Sequence, residues 1–349
     1  MIHISANFDA GNIEVVDISD PQNLQLKIRR DVGSANEDHM QWFHFRVTGA
    51  AGTPLRLRMI NAGEASFVDG WRDYRVCYSY DRETWERVED TSYEDGVLQV
   101  AHEPLSNSVY YAYFAPYSMD RHHNLVATCS CSPRVEYQRL GASVDGQDLD
   151  LLRVSEGVGD EGGRKKQCWI FARQHPGESM AEWLMEGLLD RLLDEDDPVA
   201  RALLARADFW LVPNMNPDGS RRGHLRNNAA GRNLNREWLE PTMEHSPEVF
   251  LVRAKMQETG LDFALDVHGD EGLPYNFIAG PDGIPGYPAA MLERKTEFCA
   301  ALEAANPDFQ NEHGYPPAAE GKADLRICTK YVADAFSCLA MTLEQPFKD

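Results

Sequence analysis

The hydrophobic pattern changes period partway along the chain, and that change constrains the architecture more than any other feature. Through residues 1–115, apolar side chains alternate with polar ones. Leu24, Leu26 and Ile28 interleave with Gln25 and Lys27, Phe43, Phe45 and Val47 with His44 and Arg46, and Leu55, Leu57 and Met59 with Arg56 and Arg58. Period two puts one face of each segment in a core and the other in water, the mark of half-buried strands. Asp9-Ala-Gly-Asn12, Gly49-Ala-Ala-Gly52 and Glu94-Asp-Gly96 break these runs at the short intervals of an antiparallel β-sandwich, and Val109-Tyr-Tyr-Ala-Tyr-Phe-Ala115 reads as its last strand. After Pro133 the apolar runs become continuous: Cys168-Trp-Ile-Phe-Ala172, Phe209-Trp-Leu-Val212, Phe263-Ala-Leu-Asp-Val267 and Leu339-Ala-Met-Thr-Leu343. Strands buried on both faces read this way, as in parallel sheets. Helical stretches at 178–193, 198–206, 247–258 and 288–305 lie among them, so an α/β unit with a mixed, largely parallel sheet is expected. At about 150 residues per domain, 349 residues hold two domains, placed at 1–120 and 121–349.

Charge narrows the partners. Against 34 Lys and Arg stand 56 Asp and Glu, a net charge of −22, and no basic run is long enough to neutralise phosphate or an anionic membrane surface. Neither nucleic acid nor membrane is an expected partner. No apolar run approaches the ~18 residues of a membrane span. Met1-Ile-His-Ile-Ser-Ala-Asn7 lacks the basic and apolar regions of a secretory signal, so a cytoplasmic location is expected. The seven cysteines are scattered and odd in number, which reads as reduced, mostly buried thiols.

In α/β sheets, ligands sit beyond the carboxyl ends of the strands. Four strand ends here are unusually polar: Arg173-Gln-His-Pro-Gly-Glu-Ser179, Pro213-Asn-Met-Asn-Pro-Asp-Gly219, His268-Gly-Asp-Glu271 and Glu344-Gln-Pro-Phe347. A His-x-x-Glu pair, or a histidine after a strand, says little by itself. Pro176 and Gly177, however, keep their segment out of regular helix, so His175 and Glu178 can converge, and His268 adds a second imidazole. Two imidazoles and a carboxylate are a donor set of catalytic zinc, which leaves one position for a water acidified toward neutrality. Glu344 ends a strand that Pro346 stops from continuing, and a second carboxylate is what hydrolysis needs to take the water's proton and return it to a leaving amine. Residues 221–238 carry five arginines among Asn and Gly. Planar guanidinium groups suit carboxylates and oxyanions, so the substrate should carry a free carboxylate near an amide.

In their order, His175-Pro-Gly-Glu178, Asn216-Pro-Asp-Gly219, Gly231-Arg-Asn-Leu-Asn-Arg236, Asp266-Val-His-Gly269 and Thr342-Leu-Glu344 resemble the zinc carboxypeptidases of the pancreatic carboxypeptidase superfamily. The likeness is closest to the cytosolic carboxypeptidase branch, in which a β-sandwich precedes the catalytic domain. It covers residues 130–349, with Tyr110–Tyr117 a looser match. The resemblance implies one zinc ion per chain held by His175, Glu178 and His268, with Glu344 as general base and acid. It implies that Arg226 polarises the scissile carbonyl and stabilises its oxyanion, and that Asn235 and Arg236 clamp the substrate's terminal carboxylate. It also implies a catalytic sheet of about eight strands flanked by helices.

The chain departs from that family at three points. Asn233 stands where an Asp usually orients a zinc-bound His, and a neutral amide raises ligand basicity less. Of the tyrosines preceding Glu344, neither Tyr315 nor Tyr331 aligns convincingly with the family's mobile-loop tyrosine, and that role stays open. The chain also ends soon after Glu344, where a C-terminal helix usually follows. Eukaryotic members of the branch remove glutamates from acidic tails, which calls for a basic pocket, and Arg326 and Lys330 lead up to Glu344. The expected activity is hydrolysis of the C-terminal peptide bond of peptides or protein tails. Two other readings stay open: a zinc amidohydrolase acting on N-acyl amino acids, and a catalytically silent peptide-binding module. The oligomeric state leaves no trace in the sequence.

Overall fold

A computed structural model describes residues 1–33, 38–157 and 163–348. Among the described residues ten strands come first: β1 (His3–Ser5), β2 (Glu14–Asp17), β3 (Leu24–Lys27), β4 (His44–Thr48), β5 (Leu55–Met59), β6 (Cys77–Ser79), β7 (Glu86–Arg87), β8 (Thr91–Glu94), β9 (Val97–His102) and β10 (Ser108–Ala112). They form two five-stranded sheets, ordered β1-β4-β10-β6-β7 and β2-β3-β5-β9-β8. The apolar members of the alternating runs, such as Leu24, Leu26, Phe45, Leu57 and Met59, are fully buried and share one core, while Lys27 and Arg56 are exposed. Every pairing in these sheets is antiparallel except β3 with β5. Between those two strands the chain crosses to the other sheet as β4 and returns in the same direction, which makes them parallel. His44 breaks the alternation. It belongs to the polar set but is buried, because Phe8, Trp85 and Tyr110 cover the outer side of β4 there.

The remaining strands, β11 (Val135–Ala142), β12 (Asp148–Val154), β13 (Lys166–Ala172), β14 (Ala207–Val212), β15 (Phe263–Asp270), β16 (Phe277–Ala279) and β17 (Leu339–Pro346), form one sheet in the order β11-β12-β14-β13-β15-β17-β16. Among the described residues it has seven strands rather than about eight. The central strands β14, β13, β15 and β17 run parallel, and the outer pairings are antiparallel. The continuous apolar runs are explained by a core on each face. Trp169 and Phe171 of β13 point into one core with Val249, Val252, Val332 and Ala333, and Ile170 and Ala172 point into the other with Ala181, Met185 and Leu189. The helices are α1 (Met119–Ser130), α2 (Met180–Leu193), α3 (Pro198–Leu204), α4 (Pro217–Arg222), α5 (Pro247–Thr259), α6 (Ala289–Ala305) and α7 (Cys328–Phe336). Among the described residues, none is long and apolar enough to cross a membrane.

Helix α1 has no strong apolar stripe to betray it, because one of its buried positions is His122. His122 Nδ1 lies 2.6 Å from Glu182 Oε1 of α2, and Nε2 lies 2.9 Å from Asp150 Oδ2 of β12. Arg173, fully buried at φ +62°, donates from Nη1 to Glu182 Oε2 at 2.7 Å and to the Tyr117 carbonyl at 2.8 Å. This charged network sits directly behind the loop that follows β13. The two parts of the chain also share a core, because Met180, Leu225 and Phe347 join the apolar cluster of the sandwich.

Burial alone would lower the pKa of His122, but the Glu182 and Asp150 carboxylates outweigh it and hold the imidazole up to about 9. The folded value lies above the ~6.5 of an unfolded chain, so its stabilisation is complete below that pH and fades as pH rises through about 9. The stability gap between the wild type and His122→Gln should be widest near pH ~6, at up to about 3 kcal/mol, and should shrink toward pH ~10. Urea titrations at both pH values measure it, and a gap that stays constant contradicts the assignment.

Candidate active site

Strand register brings the chemistry together. In the parallel ladder, Ala172 of β13 pairs with Val267 of β15, and His268 of β15 pairs with Glu344 of β17. The loop leaving β13 then folds back over the same end of the sheet and delivers His175 and Glu178 just before α2. His175 Nδ1 lies 2.6 Å from Glu178 Oε1, His268 Nδ1 lies 2.7 Å from Glu178 Oε2, and the two Nδ1 atoms are 3.1 Å apart. Each of the three residues is only 2% exposed. Their donor atoms all fall within 4.8 Å of one another.

The far ring nitrogens decide whether this arrangement suits a metal. His175 Nε2 lies 3.0 Å from Asn233 Oδ1, and His268 Nε2 lies 2.9 Å from Asp266 Oδ2. Both acceptors call for a proton on Nε2, which leaves both Nδ1 lone pairs aimed at the same point as the Glu178 carboxylate. Two imidazoles and a carboxylate in that tautomeric state fit a divalent metal. Gln174 fixes Asp266 in turn, donating to Oδ2 at 2.7 Å while its own Oε1 accepts from Trp238 Nε1 at 2.8 Å. Burial lowers His175 to about 3, so its ring stays neutral. Burial acts the same way on His268, but Asp266 and Glu178 pull it well upward. Glu344 is pushed to about 8 by burial and by the charges of Glu178, Asp270 and Asp266, against the opposing pull of His268, and its Oε2 has no hydrogen-bond partner among the described residues. A dication at the donor atoms would reverse this balance.

All seven residues to which the resemblance gives a ligand, catalytic or substrate-binding role border a single cavity of about 980 Å³: His175, Glu178, His268, Glu344, Arg226, Asn235 and Arg236. Asn235 Oδ1 accepts from the Cys328 N–H at 2.9 Å, which fixes which end of the amide is the oxygen and leaves its NH₂ group as the donor end. Arg236 Nη1 donates to the Asn235 carbonyl at 2.7 Å. Of the five arginines in residues 221–238, only Arg226 and Arg236 border the cavity; Arg222 instead pairs with Asp145 at 2.7 Å. Asn216-Pro-Asp-Gly219 acts by support. Asn216 caps α4 by accepting from Gly219 N at 3.0 Å and donates to the Gln174 carbonyl at 3.0 Å, while a Cβ on Gly219 would lie 2.3 Å from Pro176 Cγ. The motif therefore braces the loop that carries His175 and Glu178.

Lys330 reaches the cavity wall, with Nζ donating to the carbonyls of Gly280 at 2.6 Å and Asp282 at 2.7 Å. Arg326 does not reach it; it is exposed and paired with Asp324 at 2.7 Å. Tyr315 lines the cavity with its hydroxyl bonded to Asp270, whereas Tyr331 packs against Trp238 in the core. Sequence reasoning assigned no role to Asp266, although period two along β15 places it on the face of His268. It also missed a wall: Ser66, Phe67, Val68, Asp69 and Gly70 reach the cavity from the sandwich.

A polar cavity at the carboxyl end of a parallel sheet, with a convergent His₂Glu set and a separate buried glutamate, defines the architecture of a metal-dependent hydrolase. Comparison with known proteins narrows it. Residues 4–114 match the cytosolic carboxypeptidase N-terminal domain, and residues 124–270 match zinc carboxypeptidase. A metallo-carboxypeptidase from Burkholderia cenocepacia is 45% identical with a TM-score of 0.96, covering 100% of this chain and 91% of that one. A metallo-carboxypeptidase from Pseudomonas aeruginosa, solved with (2-guanidinoethylmercapto)succinic acid, is 45% identical with a TM-score of 0.95, covering 99% and 90%. Cytosolic carboxypeptidase 3 of Bos taurus is 26% identical over 83% of this chain, which spans only 31% of that protein's length. The chain belongs to the zinc carboxypeptidase family and is a peptide hydrolase.

The outer hydrogen bonds of the two imidazoles give paired predictions of opposite sign. Asp266→Asn should weaken zinc affinity by about 10- to 100-fold, and Asn233→Asp should strengthen it by about tenfold, as read by competition with a chromophoric chelator. An unchanged affinity in both variants would break the link to the tautomers.

Proposed function

We propose that the protein is a zinc-dependent carboxypeptidase that hydrolyses the C-terminal peptide bond of peptides or protein tails, in the cytoplasm, with one zinc per chain. In this reading residues 1–120 form the sandwich domain and residues 121–349 the catalytic domain. A zinc ion held by His175, Glu178 and His268 would polarise the peptide carbonyl and acidify a water. Glu344, buried with an Oε2 that has no partner among the described residues, takes the proton of the attacking water and returns it to the leaving amine. The guanidinium of Arg226 borders the cavity and lies over the Phe67 ring, so it can meet the negative charge that grows on the carbonyl oxygen. Arg236 and the amide N–H donors of Asn235 receive the terminal carboxylate, which restricts cleavage to the chain end.

The observation that carries this reading is the meeting, in one cavity, of a metal-type donor set, a buried spare carboxylate and a separate group of carboxylate donors. The ligand of the Pseudomonas relative, a substituted succinic acid, supports the last of these. Metal analysis and a C-terminal peptide library test the reading together. The wild type should carry stoichiometric zinc and release C-terminal residues. Glu344→Gln should keep its zinc and lose about 10²- to 10⁴-fold in kcat. Cleavage of N-acyl amino acids with no peptide cleaved would overturn the carboxypeptidase assignment, and full activity in Glu344→Gln would remove Glu344 from its role.

A further inference from the structure

An arginine that must meet a developing oxyanion needs a fixed backbone and a fixed guanidinium, and for Arg226 both come from the sandwich. The carboxylate of Asp31, itself buried, accepts three consecutive backbone N–H groups: Leu225 at 2.7 Å on Oδ1, and Arg226 at 2.8 Å and Asn227 at 2.9 Å on Oδ2. Bonds from amides to a charged acceptor are shorter and stronger than neutral ones, and in a dry site they tolerate little displacement. Around this clamp the two parts interlock. Asn12 Nδ2 donates to the Gly223 carbonyl at 2.8 Å, Val32 N donates to His224 Nε2 at 3.3 Å, and a Cβ on Gly33 would lie 2.1 Å from Gly231 N. At the other end of the side chain, Arg226 Cζ lies 5.4 Å from the centroid of the Phe67 ring. The loop continues to the metal-type donors, since Gly177 N donates to the Leu225 carbonyl at 2.8 Å.

We infer that Asp31 is a positioning residue for the hydrolysis: from the sandwich, it sets the backbone of residues 225–227 so that Arg226 faces the scissile carbonyl. The inference rests on the oxyanion role proposed for Arg226. Phe67 serves the same end by holding the guanidinium over its ring. The sandwich is in this sense part of the catalytic apparatus.

A double-mutant cycle with Asp31→Asn and Arg226→Ala tests this on the zinc-loaded full chain. Asn keeps the shape of Asp but sets an NH₂ group against a backbone N–H. In the wild-type background, Asp31→Asn should lower kcat by about 10- to 100-fold. KM should change less than about threefold, because Asn235 and Arg236 bind the terminal carboxylate separately. In the Arg226→Ala background, the same substitution should cost less than about twofold. Phe67→Leu, which leaves the clamp intact, should show the same dependence on Arg226 with a smaller loss. Equal losses in both backgrounds, a rise in KM at unchanged kcat, or loss of zinc from Asp31→Asn would each overturn the inference while leaving the carboxypeptidase reading standing. Wild-type kcat in Arg226→Ala would instead remove Arg226 from its role and overturn the inference with it.

Discussion

Burying ionised carboxylates costs free energy unless positive charge meets them, and the end of the parallel sheet concentrates five. Glu178, Asp266, Asp270, Glu271 and Glu344 are each 9% exposed or less. The two imidazoles among them supply too little charge: Glu344 and Glu271 are both driven upward, chiefly by burial. The zinc proposed for the site answers this imbalance with two charges at the one point where three donor atoms already meet. Much of the surrounding architecture serves to hold that point still. The Asn216–Gly219 turn presses on Pro176, Gln174 locks Asp266, and the buried His122–Glu182–Arg173 network backs the loop.

The sandwich contributes a wall and a clamp. Residues 66–70 close one side of the cavity, and Asp31 ties down the segment that carries Arg226. The interface between the two parts is therefore mixed in chemistry. Apolar contacts through Met180, Leu225 and Phe347 supply adhesion, and directional bonds near the cavity supply register.

The legibility of these features from sequence followed the distance over which each was encoded. The switch from alternating to continuous apolar runs reported a half-buried sandwich and a doubly covered sheet, because both patterns arise within a few residues. The donor residues were readable because each sits at a strand end inside a short motif. Asp266 was within reach as well, two residues before His268 on one strand. Arg326 and Lys330 were harder to separate: α7 begins at Cys328, so only Lys330 lies on the helix and reaches the wall. The parallel pairing of β3 with β5 depended on β4 leaving for the other sheet, which alternation cannot reveal. The contact between Asp31 and residues 225–227 had no local signature, since its partners lie almost two hundred residues apart.

The strand that bears Glu344 is tethered just beyond it. Phe347 stacks on Tyr113 of the sandwich with ring centroids 4.7 Å apart, its carbonyl accepts from Arg87 Nη2 at 2.7 Å, and Lys348 Nζ donates to the Arg72 carbonyl at 2.8 Å. Glu344 is thus suspended between two anchors, the parallel ladder on one side and the sandwich on the other, with little slack in between. Any displacement of the sandwich would be transmitted as tension to that carboxylate, so the proton transfer proposed for Glu344 would depend on how firmly the sandwich is seated.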